Sequence, residues 1–386
     1  MTAEADEFDG IICFGGLDWW YHNRGHYDLQ MMRELSALMP VLYVNSMGMR
    51  MPKLTEGSMF VTRIRRKLKS LTRGLVKVRP TFGVFSPFAV PGKLARLTEP
   101  FVPAQIRRAA RKLGIRRPLV WVAFPPAVRL LDALAPVAVV YQRTDRMEAF
   151  EGADTAYISA CNRELQARAD VTLFCATLLM EEERAQCRAA AFVDHGVDYD
   201  AFESAGKAGP EAVPDDVRAI PSPRVGFVGG IDAHTFDPEL FLSVARALPD
   251  ASFFLVGSCS LPDGWCTLPN VHLLGKRPYE EVPRYMAAAD ALIMPWNQSD
   301  WIQACNPVKL KEYLAVGRPI VSTGFHELRS YEGLVRVAAG ADEFARELRA
   351  ALASPGDGEL GRARVRSATW AQRASDALAA CRASRT

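Results

Sequence analysis

No apolar run in this 386-residue chain reaches the roughly 18 residues that cross a bilayer as a helix, which excludes a membrane-spanning reading. None of its eight cysteines (13, 161, 175, 187, 259, 266, 305 and 381) pairs at Cys-x-x-Cys spacing. Several, such as Cys13 in Ile11-Ile12-Cys13-Phe14, sit inside apolar stretches. A disulfide scaffold and a zinc-ligand array are both disfavoured, and buried thiols in a reducing compartment are expected. The stretch Thr2-Ala3-Glu4-Ala5-Asp6-Glu7 is acidic and lacks the charged-then-apolar order of a signal peptide. The expectation is a cytoplasmic chain, soluble or at most held on a membrane surface. No Gly-x-Gly-x-x-Gly follows a strand, no Gly-Lys-Ser/Thr closes a phosphate loop, and no Asp-x-Asp falls in a suitable loop. Those absences argue against nicotinamide chemistry, ATPase chemistry and an essential metal.

What is present is ordinary in total and uneven in distribution. Hydrophobic residues make up 49% and charged residues 24% of the chain, enough for large cores and far from disorder. The net charge is only +3, yet residues 50–150 hold 21 Lys/Arg against five acids, leaving the remainder at −13. Within residues 59–75, Phe60, Ile64, Leu68, Leu71 and Leu75 recur at helical spacing among Arg63, Arg65, Arg66, Lys67, Lys69 and Arg73. This predicts a basic amphipathic helix suited to an anionic membrane surface, or a solvated helix with its stripe in the core. A second basic stretch holds Arg107, Arg108, Arg111, Lys112, Arg116 and Arg117. Aromatics are not interleaved with the charge, so nucleic acid is not expected as a partner.

Short apolar runs alternate with amphipathic segments along the chain. Strands are expected at 10–14, 40–45, 119–124, 138–142, 171–176, 224–228, 252–256, 271–273, 291–295 and 319–323. Helices are expected at 26–39, 239–248, 280–289 and 309–316. Such alternation predicts an α/β chain with parallel sheets covered on both faces. Residues 203–223, with Gly206, Gly209, Pro210, Pro214, Pro221 and Pro223 and no periodicity, read as a linker. The expected organisation is two Rossmann-like domains, 1–202 and 224–366, facing across a cleft, with a C-terminal helix in 367–386 crossing back to the first.

Each half opens with a strand running into paired glycines, Gly15-Gly16 and Gly229-Gly230. Paired glycines let a backbone approach a ligand closely, and a following helix N-terminus favours anions. The most informative stretch runs from Asn306 to Ser322. Pro307 suits a helix start, and the free amides around Asn306, Pro307 and Val308 point to any nearby anion. Lys309 adds a positive charge, and Glu312, one turn on, could accept hydrogen bonds from a diol. Together they suit a diphosphate and a ribose; taken alone, they would form a surface ion pair.

This stretch resembles the donor-binding signature of glycosyltransferases of the two-Rossmann GT-B fold. It is closest to family-4-type enzymes of bacterial surface-polysaccharide and teichuronic-acid assembly, with the pattern P-x-K-x-x-E-Y-L-A-x-G-x-P-V-V-S. Other segments agree in order: the strand before Gly229-Gly230, Leu255-Val256-Gly257, the run from Pro269 to Gly275, Ala289-Asp290, and His195-Gly196-Val197-Asp198 with Phe202. The resemblance implies that Gly229, Gly230 and Lys309 meet a donor diphosphate and that Glu312 holds the ribose. It implies that Gly275, Lys276 and Arg277, with Tyr279, border the base, and that Gly15 and Gly16 face the diphosphate from the other domain. Trp19, Trp20, Arg24 and His26 resemble the family's opening loop and would meet the acceptor, unless the tryptophans plug the domain rim.

Three departures stand out. Many retaining relatives carry a second carboxylate eight residues before the first, where this chain has Ala304, with Gln303 or Asn306 as substitutes. Arg and Lys are absent after Gly229-Gly230, where Ile231-Asp232-Ala233-His234 stand. The first-domain His is also missing. Asp145 remains the best catalytic candidate, as a general base or an acceptor-orienting group, with a structural pairing to Arg143 or Arg146 as the alternative. The function implied is transfer from a nucleotide-diphosphate sugar, with no other cofactor, to a saccharide or lipid-linked acceptor. A sugar-nucleotide epimerase and a non-catalytic nucleotide-sugar-binding subunit are the alternatives.

Overall fold

The strands assemble into two separate sheets, and the computed structural model describes residues 7–21, 26–46, 69–70, 72–89, 98–150 and 153–385. The first sheet contains β1 (Gly10–Phe14), β2 (Val41–Val44), β3 (Leu75–Arg79), β4 (Phe82–Phe85), β5 (Pro118–Val122), β6 (Ala138–Arg143), β7 (Val171–Phe174) and β8 (Ala190–Phe192). Their order is β3-β4-β2-β1-β5-β6-β7-β8, parallel throughout except for the antiparallel β3–β4 hairpin at one edge. The second sheet is wholly parallel, in the order β11-β10-β9-β12-β13-β14. It is built from β9 (Arg224–Val228), β10 (Ser252–Val256), β11 (Val271–Gly275), β12 (Ala291–Met294), β13 (Ile320–Thr323) and β14 (Arg336–Ala338).

These runs form parallel strands because both of their faces are apolar. In β10, Phe254 and Val256 pack into one core cluster and Phe253 and Leu255 into another. Only a strand covered by helices on both sides can bury every residue in this way. The helices that matter below are α1 (Tyr27–Leu35), α2 (Val102–Arg111), α3 (Thr155–Arg168), α4 (Tyr199–Lys207), α5 (Pro238–Ala247), α6 (Val282–Ala287), α7 (Val308–Val316), α8 (Ala341–Ala353), α9 (Glu359–Val365) and α10 (Trp370–Ala383).

The chain divides into two units. The first comprises residues 1–175, 179–194 and 373–386, and the second residues 176–178 and 195–372. In each sheet the chain runs outward in both directions from one strand, so the strand order reverses beside β1 (toward β5) and beside β9 (toward β12). Crevices at the carboxyl ends of strands at such reversals are where open α/β sheets bind ligands.

The segment expected as a linker, 203–223, differs from an irregular connection. Its first residues complete α4, and Val217 and Ile220 are buried in the second unit's core beside Phe202. Two of its prolines, Pro210 and Pro214, start helical turns instead of preventing them. The expected basic helix lies mostly outside the described residues, at 59–68 and 71. Of its described part, 69–70 and 72–73 are helical, whereas Leu75 belongs to β3.

Candidate functional site

In the second unit the site is built on α7. Pro307 holds the extended conformation that precedes the helix, whose hydrogen-bond ladder opens with the Leu310 amide donating to the Pro307 carbonyl at 3.2 Å, so the amides ahead of Leu310 lie outside the ladder. Gly317 ends the helix in the left-handed region (φ 79°), where the Arg362 guanidinium donates to the Val316 carbonyl at 3.0 Å. A Cβ at Gly317 would run into that guanidinium. Both ends of the helix are thereby fixed, and so is the direction in which its first turn points.

Tyr313 fixes its depth. Strands β9 and β12 pair only through Val225–Ala291 and Gly226–Leu292. Beyond those residues the Tyr313 hydroxyl stands between them, accepting from the Val228 amide at 3.0 Å and facing the Ile293 carbonyl at 3.5 Å. The hydroxyl satisfies the strand groups that the parting of β9 and β12 leaves open. It pins α7 at the reversal point of the sheet.

Lys309 and Glu312 are thus carried to the carboxyl end of β9. The Lys309 ammonium lies 4.3 Å from the Phe227 ring centroid and 5.5 Å from that of Trp296. A Cβ at Gly229 would overlap the Lys309 Nζ, and one at Gly257 would overlap the Gly229 carbonyl, so both glycines are required by close approach. Glu312 is only 4% exposed and accepts from the Tyr279 hydroxyl at 2.9 Å. Phe202 packs edge-on against the Tyr279 ring, 6.4 Å between centroids.

Neither charge is well compensated. Burial lowers Lys309 from 10.5 to about 8 against the pull of Glu312, Cys305 and Asp232. Burial raises Glu312 from 4.5 to about 7, against Tyr279 and Lys309 and with help from Asp198. An anion beside Lys309 and hydroxyl donors beside Glu312 would relieve both groups.

The other expected donor-side residues are distributed as follows. Gly230 is exposed, and Asp232 beyond it closes a tight turn by accepting from the His234 and Thr235 amides at 3.1 and 3.0 Å. The turn takes the place of the absent Arg and Lys. Gly275 ends β11 with φ 73°, and Lys276 is exposed. Arg277 is turned to Asp216 (2.7 Å) and the Tyr285 hydroxyl (2.8 Å). The Asn306 side-chain oxygen accepts from the fully buried Lys311 at 3.0 Å. The Gln303 amide donates to Gly324 and Gln298. Both suggested substitutes for a carboxylate at the buried Ala304 are therefore engaged within the protein.

In the first unit a Cβ at Gly15 would overlap the Tyr43 hydroxyl. The Gly16 amide donates to Asp28 Oδ2 at 2.9 Å, and the Tyr43 hydroxyl donates to the same oxygen at 2.9 Å. Asp28 is 4% exposed and ties the glycine turn to α1. The Trp19 ring packs edge-on against Tyr43 and Phe82, with centroids at 5.7 and 4.8 Å. Trp20 lies 4.3 Å beneath the Arg73 guanidinium. His26 precedes α1 without a side-chain cap, and Arg24 lies outside the described residues.

Asp145 follows β6 at its carboxyl end. Its carboxylate pairs with neither neighbouring arginine: Arg143 Nη1 donates to the Asp145 carbonyl (2.7 Å), and Arg146 bonds Glu182 (2.6 Å). Burial raises Asp145 above its ordinary range, against Thr144 and Arg143. Arg143 itself, 1% exposed, is gripped on two sides by Glu148 (2.7 and 3.0 Å) and Glu183 (2.8 and 3.0 Å).

Sequence patterning missed Tyr313, Asp28 and the Arg143 cluster. All three act through buried polar contacts, and nothing in spacing reveals what a buried polar group touches. Among the described residues no group of three or more His, Cys, Asp or Glu could hold a metal ion, and no helix is long and apolar enough to cross a membrane.

Two units, each a parallel sheet whose order reverses beside a glycine turn, with a lysine and a carboxylate on one helix at the second reversal, define the GT-B class. The chain superposes on sucrose-phosphate synthase from Thermosynechococcus elongatus with a TM-score of 0.71 at 16% identity, covering 97% of this chain and 98% of that one. For Anabaena HepE in complex with UDP and glucose the TM-score is 0.62 at 13% identity, covering 98% of each chain. For the UDP-forming α,α-trehalose-phosphate synthase of Burkholderia vietnamiensis it is 0.66 at 14% identity, covering 97% of this chain and 99% of that one. These likenesses establish the fold. Residues 222–354 match the family described as "Glycosyl transferases group 1", so the second unit carries that domain. Over 144 residues the chain is 38% identical to TuaH of Bacillus subtilis (strain 168), described as a candidate teichuronic acid biosynthesis glycosyltransferase. The match spans 34% of this chain and 33% of that relative.

Proposed function

We propose that the protein is a glycosyltransferase that moves a sugar from a nucleotide-diphosphate sugar to a saccharide acceptor, lipid-linked and destined for a surface polysaccharide. The observation that carries the reading is the placement of Lys309 and Glu312, both buried at the sheet reversal inside the group 1 domain, where burial disfavours each charge. In transfer, the acceptor oxygen bonds to the anomeric carbon as the bond from that carbon to the diphosphate oxygen breaks. The nucleoside diphosphate leaves with the bonding pair, and the acceptor proton passes to a base. Lys309 and the first-turn amides of α7 stabilise the leaving charge, the main electrostatic task of such a step, without an essential metal. Glu312 holds the ribose diol. Asp145, with its raised affinity for protons, takes the acceptor proton in an inverting reaction or orients the acceptor in a retaining one.

A uridine nucleotide is the first donor to try, since HepE was captured with UDP and with UDP-glucose. The basic excess of residues 50–150 would bring the enzyme to the anionic cytoplasmic membrane face that presents a lipid-borne acceptor. The test is a thermal-shift screen against nucleotide-diphosphate sugars, followed by product analysis with and without acceptor. A rise in melting temperature with acceptor-dependent release of nucleoside diphosphate is expected. Conversion of donor without acceptor would indicate an epimerase, and binding without turnover against any acceptor pool would indicate a binding subunit.

A further inference from the structure

A pocket lies wholly within the first unit, between α1 and the β3–β4 hairpin. It has a volume of about 160 Å³, and its apolar wall is formed by Trp19, Leu29, Val78 and Phe82. Three polar side chains complete it: Gln30, Arg33 and Arg79. Gln30 is 4% exposed, yet among the described residues its side-chain amide has no hydrogen-bond partner, although it lines the cavity. The amide is not among the side-chain groups sealed off without a partner, so its hydrogen-bonding capacity opens to the cavity, where a polar ligand can replace water. Arg33 and Arg79 likewise make no ion pair or side-chain hydrogen bond among the described residues, unlike Arg143, Arg146 and Arg168 of the same unit. Trp19 is held against Tyr43 and Phe82, so its ring stands as a fixed wall.

The structure assigns this pocket to a single anionic sugar residue, one pyranose bearing a carboxylate or a phosphate. An aromatic wall takes the C–H face of a pyranose, the Gln30 amide serves its hydroxyls, and two free guanidiniums serve its charge. The pocket is below the size of ordinary small-molecule sites of about 300 Å³ and upward, so it suits one ring and excludes a nucleotide. The assignment goes beyond the glycosyl-transfer reading and stands or falls separately from it, because binding here requires neither donor nor turnover.

The test is isothermal titration of the full-length protein, without nucleotide, with glucuronate, glucose 6-phosphate, glucose and inorganic phosphate at matched ionic strength. Binding of glucuronate, glucose 6-phosphate or both is expected, and whichever binds identifies the anion. Glucose and inorganic phosphate should each be weaker by about tenfold or more. The Arg33→Ala/Arg79→Ala variant should lose about tenfold or more in affinity for the anionic sugar, with an unliganded melting temperature close to wild type confirming its fold. Gln30→Leu should weaken binding while leaving both arginines in place. No binding of either anionic sugar, equal binding of glucose or of inorganic phosphate, or undiminished binding by the double variant would each overturn the assignment.

Discussion

Arg143 in the first unit and Lys309 in the second are both cations taken out of bulk water beside carboxylates, and the protein treats them in opposite ways. Around Arg143, Glu148 and Glu183 each present two oxygens, and Asn162 and Gln166 bond those carboxylates at 2.9 and 2.5 Å. Burial opposes the Arg143 charge, but Tyr141, Glu183 and Glu148 outweigh it and hold the guanidinium protonated well above its ordinary value. Glu148 is likewise held below the ordinary carboxylate range, since Arg143 outweighs its burial. Lys309 and Glu312, in contrast, are each pushed toward neutrality, to about 8 and about 7. The comparison separates a cluster that completes itself from a pair that a ligand must complete.

Removing Arg143 is the most damaging way to probe this contrast. Arg143→Met leaves Glu148 and Glu183 facing each other without a cation, and a loss of about 3–5 kcal/mol is expected. Scanning calorimetry should show a lower melting transition. An unchanged transition would mean that the cluster contributes no more than an exposed pair. Lys309→Met should do the reverse to stability, because a charge at an unfavourable site is removed. Its melting temperature is expected to stay level or rise, while turnover falls by about 10²–10³-fold, as when one donor to a developing oxyanion is lost. Near-normal turnover in this variant would sink the donor-site reading.

The same contrast has a pH signature. Glu312 keeps its proton in the folded state up to about 7, whereas the unfolded chain releases it near 4.5, so its contribution to stability falls as pH rises between those values. Lys309 loses its proton near 8 when folded and near 10.5 when unfolded, so its contribution recovers as pH rises through that range. Their combined contribution is least between pH 7 and 8, where both are charged. That is where affinity for a nucleoside diphosphate should be greatest, falling below about 7 as Glu312 gains its proton and above about 8 as Lys309 loses its own. Titration calorimetry across pH 6 to 9 checks this, and Glu312→Gln should abolish the acid limb alone. The Glu148 contribution runs the other way, present above its ordinary 4.5 and lost as pH falls.

How much of this was legible in the sequence depends on whether burial or contact was at issue. The ten expected strands all exist, and Gly10–Phe14, Arg224–Val228 and Ser252–Val256 have the expected ends, because an apolar run bounded by turn residues reports burial directly. Strands β3, β4, β8 and β14 were not expected: Leu75–Arg79, Ala190–Phe192 and Arg336–Ala338 are short edge strands that are mostly half-buried or exposed, and Phe82–Phe85, although mostly buried, is a four-residue run interrupted by Gly83. The placing of Lys309 and Glu312 on one side of the helix was readable from spacing, as was the stop at Gly317. Tyr313 was not, since its hydroxyl works across 85 residues to Val228, a distance no local pattern spans. Nor could residues 195–202 reveal that Phe202 supports Tyr279, which in turn bonds Glu312.

Tyr313 provides the next, smaller test. Tyr313→Phe keeps the ring and removes only the oxygen that the Val228 amide uses, leaving a buried donor unsatisfied at the parting of β9 and β12. A loss of about 1–3 kcal/mol is expected in denaturant unfolding, together with weaker nucleotide binding because α7 is no longer pinned. Lost stability with intact nucleotide affinity would show that α7 is placed by its apolar contacts alone.

Arg277 should give the smallest effect, and it returns the argument to the opening contrast. It too is a cation bonded to a carboxylate, but its side chain and that of Asp216 are 29% and 35% exposed. Water competes for both, so Arg277→Ala is expected to cost less than about 1 kcal/mol. Because the guanidinium is turned to Asp216 and Tyr285, nucleotide affinity should also change little. A large loss of affinity would show that Arg277 leaves Asp216 for the base when donor binds. Arg277 would then belong with Lys309, among the groups completed by ligand, and not with Arg143.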